Sequence, residues 1–260
     1  GISARGIIGL RLNTSASTLL NGDYVQLMNG SSLEISQNGL TYFLKFNSDF
    51  IRLDKTTKTF VNVEIIQGEK DEQSFTGTGL ALQSYNLTTK DPTDQYLVEV
   101  FVDGELWKKE DSLYDMNNGE KSVMIKTSVN GGLSIFFGNN QFGLPPALGS
   151  RINVTYIKTR GNAGNIGGKQ LDIKFSTPGT DSSGEEVDLN EILALNITRN
   201  PMFGSDSEDP SFTRLIAPYQ SNSFVLANPN NYIYYLSKYD FWSFINAYNT
   251  KNDEYLDDDN

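Results

Sequence analysis

Gly132-Leu133-Ser134-Ile135-Phe136-Phe137-Gly138-Asn139-Asn140-Gln141-Phe142-Gly143-Leu144-Pro145-Pro146-Ala147-Leu148-Gly149-Ser150-Arg151-Ile152-Asn153-Val154-Thr155-Tyr156 is the stretch whose reading decides the fold. Leu133 to Phe137 is an apolar run of strand length. From Arg151 to Lys158, Ile152, Val154 and Tyr156 alternate with other residues at period two, the pattern of a half-buried strand. Between the two runs, Gly138 and Gly143 permit a tight loop, and Pro145-Pro146 holds the chain extended so that the next strand enters at a fixed angle. The stretch therefore predicts a rigid, hairpin-like excursion from Gly138 to Gly149 and not an active site.

Working outward, the same punctuation recurs upstream. Tyr24 to Met28 lies between Asn21-Gly22 and Asn29-Gly30, Thr41 to Phe46 follows Asn38-Gly39, and Phe60 to Ile66 closes on Gln67-Gly68. Such pairs supply the positive φ of tight turns, so these runs read as antiparallel strands. Asp91-Pro92-Thr93-Asp94 is a turn cluster and the best internal boundary. Beyond it, Tyr96 to Val102, Asp103-Gly104, Glu105 to Lys109 and Ser122 to Thr127 continue the β pattern. Two β units, or one long β domain, fill the chain to about residue 176.

Downstream the pattern changes. Ser183-Gly184-Glu185-Glu186 reads as a capping box, with Val187, Leu189, Ile192, Leu193 and Ile197 forming a stripe at helical spacing and Asn200-Pro201 as the stop. A helix is expected over about 184–198. A second box at Ser237-Lys238-Tyr239-Asp240 follows the strand-like run Tyr232 to Leu236, and it predicts a helix over about 238–249. The expected fold class is α+β: predominantly antiparallel β domains, 1–92 and 93–176, followed by a C-terminal helical or mixed region, 177–260.

Composition narrows the chemistry. The 260 residues contain no Cys and no His, which removes disulfides, thiolate nucleophiles, Ser-His-Asp triads, His-based acid/base pairs and the usual zinc sites. A formal charge of -11 repels a phosphate backbone and an anionic membrane surface, so neither nucleic acid nor a membrane anchor is expected. No apolar run reaches the roughly 18 residues a membrane-spanning helix needs. The start at Gly1 and the acidic close Asp257-Asp258-Asp259-Asn260 suggest a segment of a longer chain.

Some features mimic sites. Gly161 to Lys169 looks like a phosphate loop, but Ala163 stands where a Walker loop has Gly, and Gln170 stands where it has Ser or Thr. Asp206-Ser207-Glu208-Asp209 lacks the spacing of a calcium loop and reads as a solvated turn. Thirty-two acidic residues always permit some carboxylate pair at about 5 to 10 Å, yet no motif selects one for glycoside hydrolysis. No cofactor and no metal are expected, and the chain does not read as an enzyme.

Taken with Thr159-Arg160-Gly161-Asn162-Ala163-Gly164-Asn165, the opening stretch resembles the signature of the J-like baseplate wedge proteins of contractile phage tails: a strand, FG, a short loop, G, PP, a Gly, an I-x-V-x-Y strand and a closing G-x-x-GN. Phe137, Gly138, Phe142, Gly143, Pro145, Pro146, Gly149, Gly161, Gly164 and Asn165 carry it. Phe60 to Gly68 followed by Phe75 is similar to the family's preceding strand and Q-G turn. Gly204 to Asp209, Arg214-Leu215-Ile216-Ala217-Pro218 and Tyr239-Asp240-Phe241 are similar to its acidic turn, R-x-x-AP helix end and Asp-Tyr helix start, with the aromatic order changed. The likeness covers about residues 40 to 245, and family members carry further helical regions on both sides.

The resemblance implies a virion structural protein of the tail baseplate, assembled in the host cytoplasm and contacting copies of itself and other wedge or hub proteins. Any mechanism would lie in ring contacts that rearrange when the tail fires. Within 232–248, Phe241, Phe244, Ile245 and Tyr248 form one stripe while Tyr239 and Trp242 lie toward another. Tyr239, Phe241, Trp242 and Tyr248 are therefore the expected interface. Two other classes stay open: a carbohydrate-binding or adhesin module of a phage fibre using Trp107, Trp242 and Tyr rings as sugar platforms, and a glycosidase.

Overall fold

The computed structural model describes residues 1–89, 91–127, 132–168 and 171–206. The chain opens with β1 (Arg5–Leu12), the single turn α1 (Ala16–Leu19), β2 (Tyr24–Met28), β3 (Ser32–Ile35), β4 (Leu40–Lys45), β5 (Phe50–Asp54) and β6 (Val61–Gln67). It continues through β7 (Glu69–Thr76), β8 (Ser84–Asn86), β9 (Glu99–Val102), β10 (Glu105–Leu106), β11 (Lys108–Glu110), β12 (Ser122–Thr127), β13 (Leu133–Phe137) and β14 (Arg151–Lys158). It then returns through β15 (Ile173–Phe175), β16 (Gly179–Asp181), β17 (Glu186–Val187), the turn α2 (Leu189–Ile192) and β18 (Leu193–Met202).

These strands make two sandwiches. The first packs a six-stranded sheet, β15-β3-β4-β6-β1-β18, on the four-stranded sheet β17-β16-β2-β5. Period-two alternation turns Ile8 and Leu10, Leu33 and Ile35, Tyr42 and Leu44 inward from the large sheet. They meet Val25, Leu27 and Leu53 from the small one, all buried in one core. The second sandwich packs β10-β9-β14-β7 on β11-β12-β13-β8. Its core sets Val100, Ile152, Val154 and Tyr156 against Val123, Leu133, Ile135 and Phe137. Pairing is antiparallel throughout the described strands, except that β11 runs parallel to β12.

The order of strands shows how the two are connected. β7 to β14 form the second sandwich, while β1 to β6 and β15 to β18 share the first. The second sandwich is thus inserted into the first, between β6 and β15. The turn at 91–94 lies inside the inserted stretch, between β8 and β9.

The chain is predominantly antiparallel β, with four sheets and almost no helix among the described residues. The helix expected over 184–198 is not there. Asp181 Oδ1 takes hydrogen bonds from Ser183 N, Ser183 Oγ and Glu185 N at 2.9, 2.6 and 3.0 Å, and Gly184 sits at φ 91°. The Ser183 hydroxyl is therefore spent in a turn and cannot cap a helix. Asp188 does cap one, accepting from Asn190 N at 2.9 Å, but α2 ends after four residues. Leu193, Leu195 and Ile197 also read as a period-two pattern. The long antiparallel ladder with β1, Leu12↔Leu193 through Arg5↔Met202, settles the ambiguity in favour of a strand. The helix expected over 238–249 lies outside the described residues.

Candidate functional site

Gly138 to Gly149 does not join paired strands. β13 pairs with β12 and β8, whereas β14 pairs with β7 and β9 in the facing sheet. The loop is an arch across the end of the second sandwich and not a hairpin. A second arch, 77–83, crosses beside it from β7 to β8. The two brace each other: Gly77 N donates to Ser150 O at 2.8 Å, Gly149 N to Gly77 O at 2.9 Å and Leu82 N to Gly138 O at 2.9 Å.

Gln83 clamps them. Its Nε2 donates to Pro146 O at 2.8 Å, and its Oε1 accepts from Thr78 N at 2.9 Å and from Tyr85 OH at 2.7 Å, all while buried. Inside the larger arch, Asn139 Oδ1 accepts from Phe142 N at 2.9 Å, and the Gly143 and Leu144 amides donate to the Asn117 and Glu120 carbonyls. Gly138 is needed for close approach, since a Cβ there would lie 2.1 Å from Phe142 O.

The braced end is apolar outside. Leu80 is 68%, Leu82 54% and Leu148 82% exposed, and Leu82 sits at φ 56°, an uncommon conformation for a Leu. The backbones of the two arches touch here, with Leu148 N 3.0 Å from where a Cβ of Gly79 would stand.

Gly161, Gly164 and Asn165 lie at the other end of β14, a strand of eight residues that spans about 26 Å. The motif therefore splits: Phe137 ends β13 in the core, Gly138, Phe142, Gly143, Pro145, Pro146 and Gly149 belong to the distal arch, and the last three residues belong to the junction between sandwiches. There Tyr42 OH donates to Gly164 O at 2.8 Å, and Asn165 pairs with Gly204 through Nδ2 to O at 2.9 Å and N to Oδ1 at 2.7 Å.

Two buried polar side chains complete the junction. Gln67 Oε1 accepts from Thr159 Oγ1 at 2.9 Å and Arg160 N at 2.8 Å, and Asp94 accepts from Ser3 N at 2.8 Å and Tyr96 N at 2.9 Å. Gly68, between β6 and β7, has φ 145°, and a Cβ on it would stand 2.3 Å from Ile157 Cγ2 and 2.7 Å from Lys158 O. Tyr239, Phe241, Trp242 and Tyr248, the expected interface, lie outside the described residues.

Both sandwiches belong to one compact unit spanning Gly1–Ser207, and between them is a cleft of about 510 Å³. Thr41, Phe43 and Lys45, the outward-facing residues of β4, line one side. Thr155 and Ile157 from β14, Glu69 and Lys70 from β7, and Tyr96 to Glu99 line the other. Trp107 is not a platform: it is 6% exposed, and its ring packs edge-on against Phe137 at 5.4 Å between centroids.

The shifted carboxyls serve structure. Lys158 Nζ lies 2.6 Å from Asp71 Oδ2, which holds the Asp71 carboxyl below its ordinary range and raises the lysine. Asp181 is likewise lowered by its Ser183 and Glu185 donors. Among the described residues no three acidic side chains gather as a metal site would require.

No known protein-family model matches the chain, and no curated protein matches it. The fold itself defines the class: an antiparallel β protein in which one sandwich is inserted into another.

Proposed function

We propose that this chain is a structural subunit of a contractile phage-tail baseplate or a related injection machine, a wedge component that works through subunit contacts and their rearrangement. The observation that carries the reading is the braced distal end. Leu80, Leu82 and Leu148 are exposed apolar side chains on two arches cross-linked by backbone hydrogen bonds and the Gln83 clamp. Such a surface loses little conformational freedom on docking, which is what a repeated subunit contact requires. The motif resemblance supports the same reading, because six of its ten residues build this arch.

On this reading the partners are other copies of the chain and neighbouring wedge or hub proteins in the virion, and the chain performs no catalysis. The charge of -11 means that apolar contact, and not attraction between copies, drives association. Cryo-electron microscopy of the parent particle tests this. A ring of the chain at the tail end, with the arches of residues 77–83 and 138–150 against a neighbour, is the expected result. The chain found on a fibre, in the head or absent from the particle overturns it.

A further inference from the structure

We infer that the cleft between the two sandwiches is a binding site for a neutral saccharide of one or two sugar residues. The argument is independent of the baseplate reading and begins with size. At about 510 Å³ the cleft falls in the range of small-molecule sites, roughly 300 to 1,000 Å³, far larger than a bound ion needs.

Charge comes next. Lys45, Lys70, Glu69 and Glu99 all line it, and among the described residues none of the four forms an ion pair. An anionic ligand would face two carboxylates, and a cation would face two ammonium groups. An apolar ligand would strip water from all four charges and return nothing. A neutral molecule carrying both donors and acceptors satisfies both signs, and hydroxyl groups do so at every position.

The rings narrow the class further. Tyr96 is 58% exposed at the cleft, and Phe43 stands half-buried on its floor. An aromatic face carries partial negative charge and receives the polarised C–H face of a sugar ring. A peptide that added itself as a strand would need a free sheet edge. The floor strand β4 is already paired on both sides, by β3 and β6, and β14 opposite is paired by β7 and β9, which leaves the outer side of β7, at the end of its sheet, as the edge such a peptide would use. A saccharide needs no edge.

The test titrates the full chain, followed by NMR and calorimetry, with glucose, galactose, mannose, N-acetylglucosamine and their β-1,4-linked disaccharides, and with glucuronic acid as an anionic probe. The expected result is saturable binding of at least one neutral probe. Tyr96→Ala, at an exposed ring, should weaken it about two- to tenfold. Thr41→Trp, which fills the floor, should abolish it, with an unchanged circular dichroism spectrum showing that the fold survives. Absence of binding by every neutral probe overturns the proposal, as does tighter binding of glucuronic acid or binding that Tyr96→Ala leaves unchanged.

Discussion

The two sandwiches differ in how their cores are collected from the chain. The inserted one takes all its core residues from one continuous stretch, Phe75 to Tyr156, and is knit by an aromatic relay of Phe75, Tyr85, Phe137 and Trp107 with centroids 5.0, 6.0 and 5.4 Å apart. The host core is mostly aliphatic and draws on both flanks of the insert, from Ile8 to Ile65 and from Ile166 to Leu193. Continuity and aromatic contact predict that the insert folds without the host. The host must close its sheet across whatever the insert has become, and an unfolded loop of that length costs it about 4 kcal/mol.

The largest expected effect breaks this asymmetry if it is wrong. With Trp242→Phe leaving Trp107 as the one indole, Ile8→Asp should unfold the host while the near-ultraviolet signal of buried Trp107 persists. Ile135→Asp should abolish that signal and lower the melting temperature of the host as well. Loss of the Trp107 signal in Ile8→Asp would show that the insert depends on its host.

Next in size is Phe137→Ala, which removes the ring that touches both Tyr85 and Trp107. It should cost about 3–5 kcal/mol in denaturant unfolding of the insert. Gly68→Ala sharpens the comparison at the crossing. Its φ of 145° and the clash with Ile157 and Lys158 should cost about 1–3 kcal/mol and lower both sandwiches together, where Phe137→Ala acts first on one.

The smallest effect is one of pH. The folded Asp71 carboxyl sits below its unfolded value, so its pairing with Lys158 stabilises the insert above about pH 4 and is lost as pH falls through the folded value. Lys158 is raised, so its share is present below about pH 10 and is lost as pH rises through the folded value. Asp71→Asn should flatten the acid limb of the melting-temperature profile and leave neutral pH nearly unchanged, because the pair is part-exposed.

Most strands were legible because burial on one face imposes a local period. Tyr24 to Met28 is β2 as read, and Asp103-Gly104 turns β9 into β10 with both residues at positive φ. Sheet membership was not legible. Asn29-Gly30 looks like a hairpin turn but passes the chain from β2 in one sheet to β3 in another, just as Gly138 to Gly149 does. The insertion is equally silent, since nothing local to β18 says that its partner is β1, and that absent partner is why Leu193 to Ile197 passed for helix. Gln83, Gln67 and Asp94 are ordinary polar residues in the sequence. Their weight comes from burial, which only the assembled fold supplies.

β7 and β14 rise side by side from the junction to the arches through eight register pairs, Glu69↔Lys158 to Thr76↔Arg151. A push or pull applied at the arches along that axis loads two covalent backbones in parallel. No rung of hydrogen bonds between them has to break. The insert is therefore built as a strut lengthwise, while a sideways load bears on the Gln67–Thr159 hydrogen bond and the Asp94 contacts at the junction. Load along the β7–β14 ladder should therefore meet more resistance than load across it.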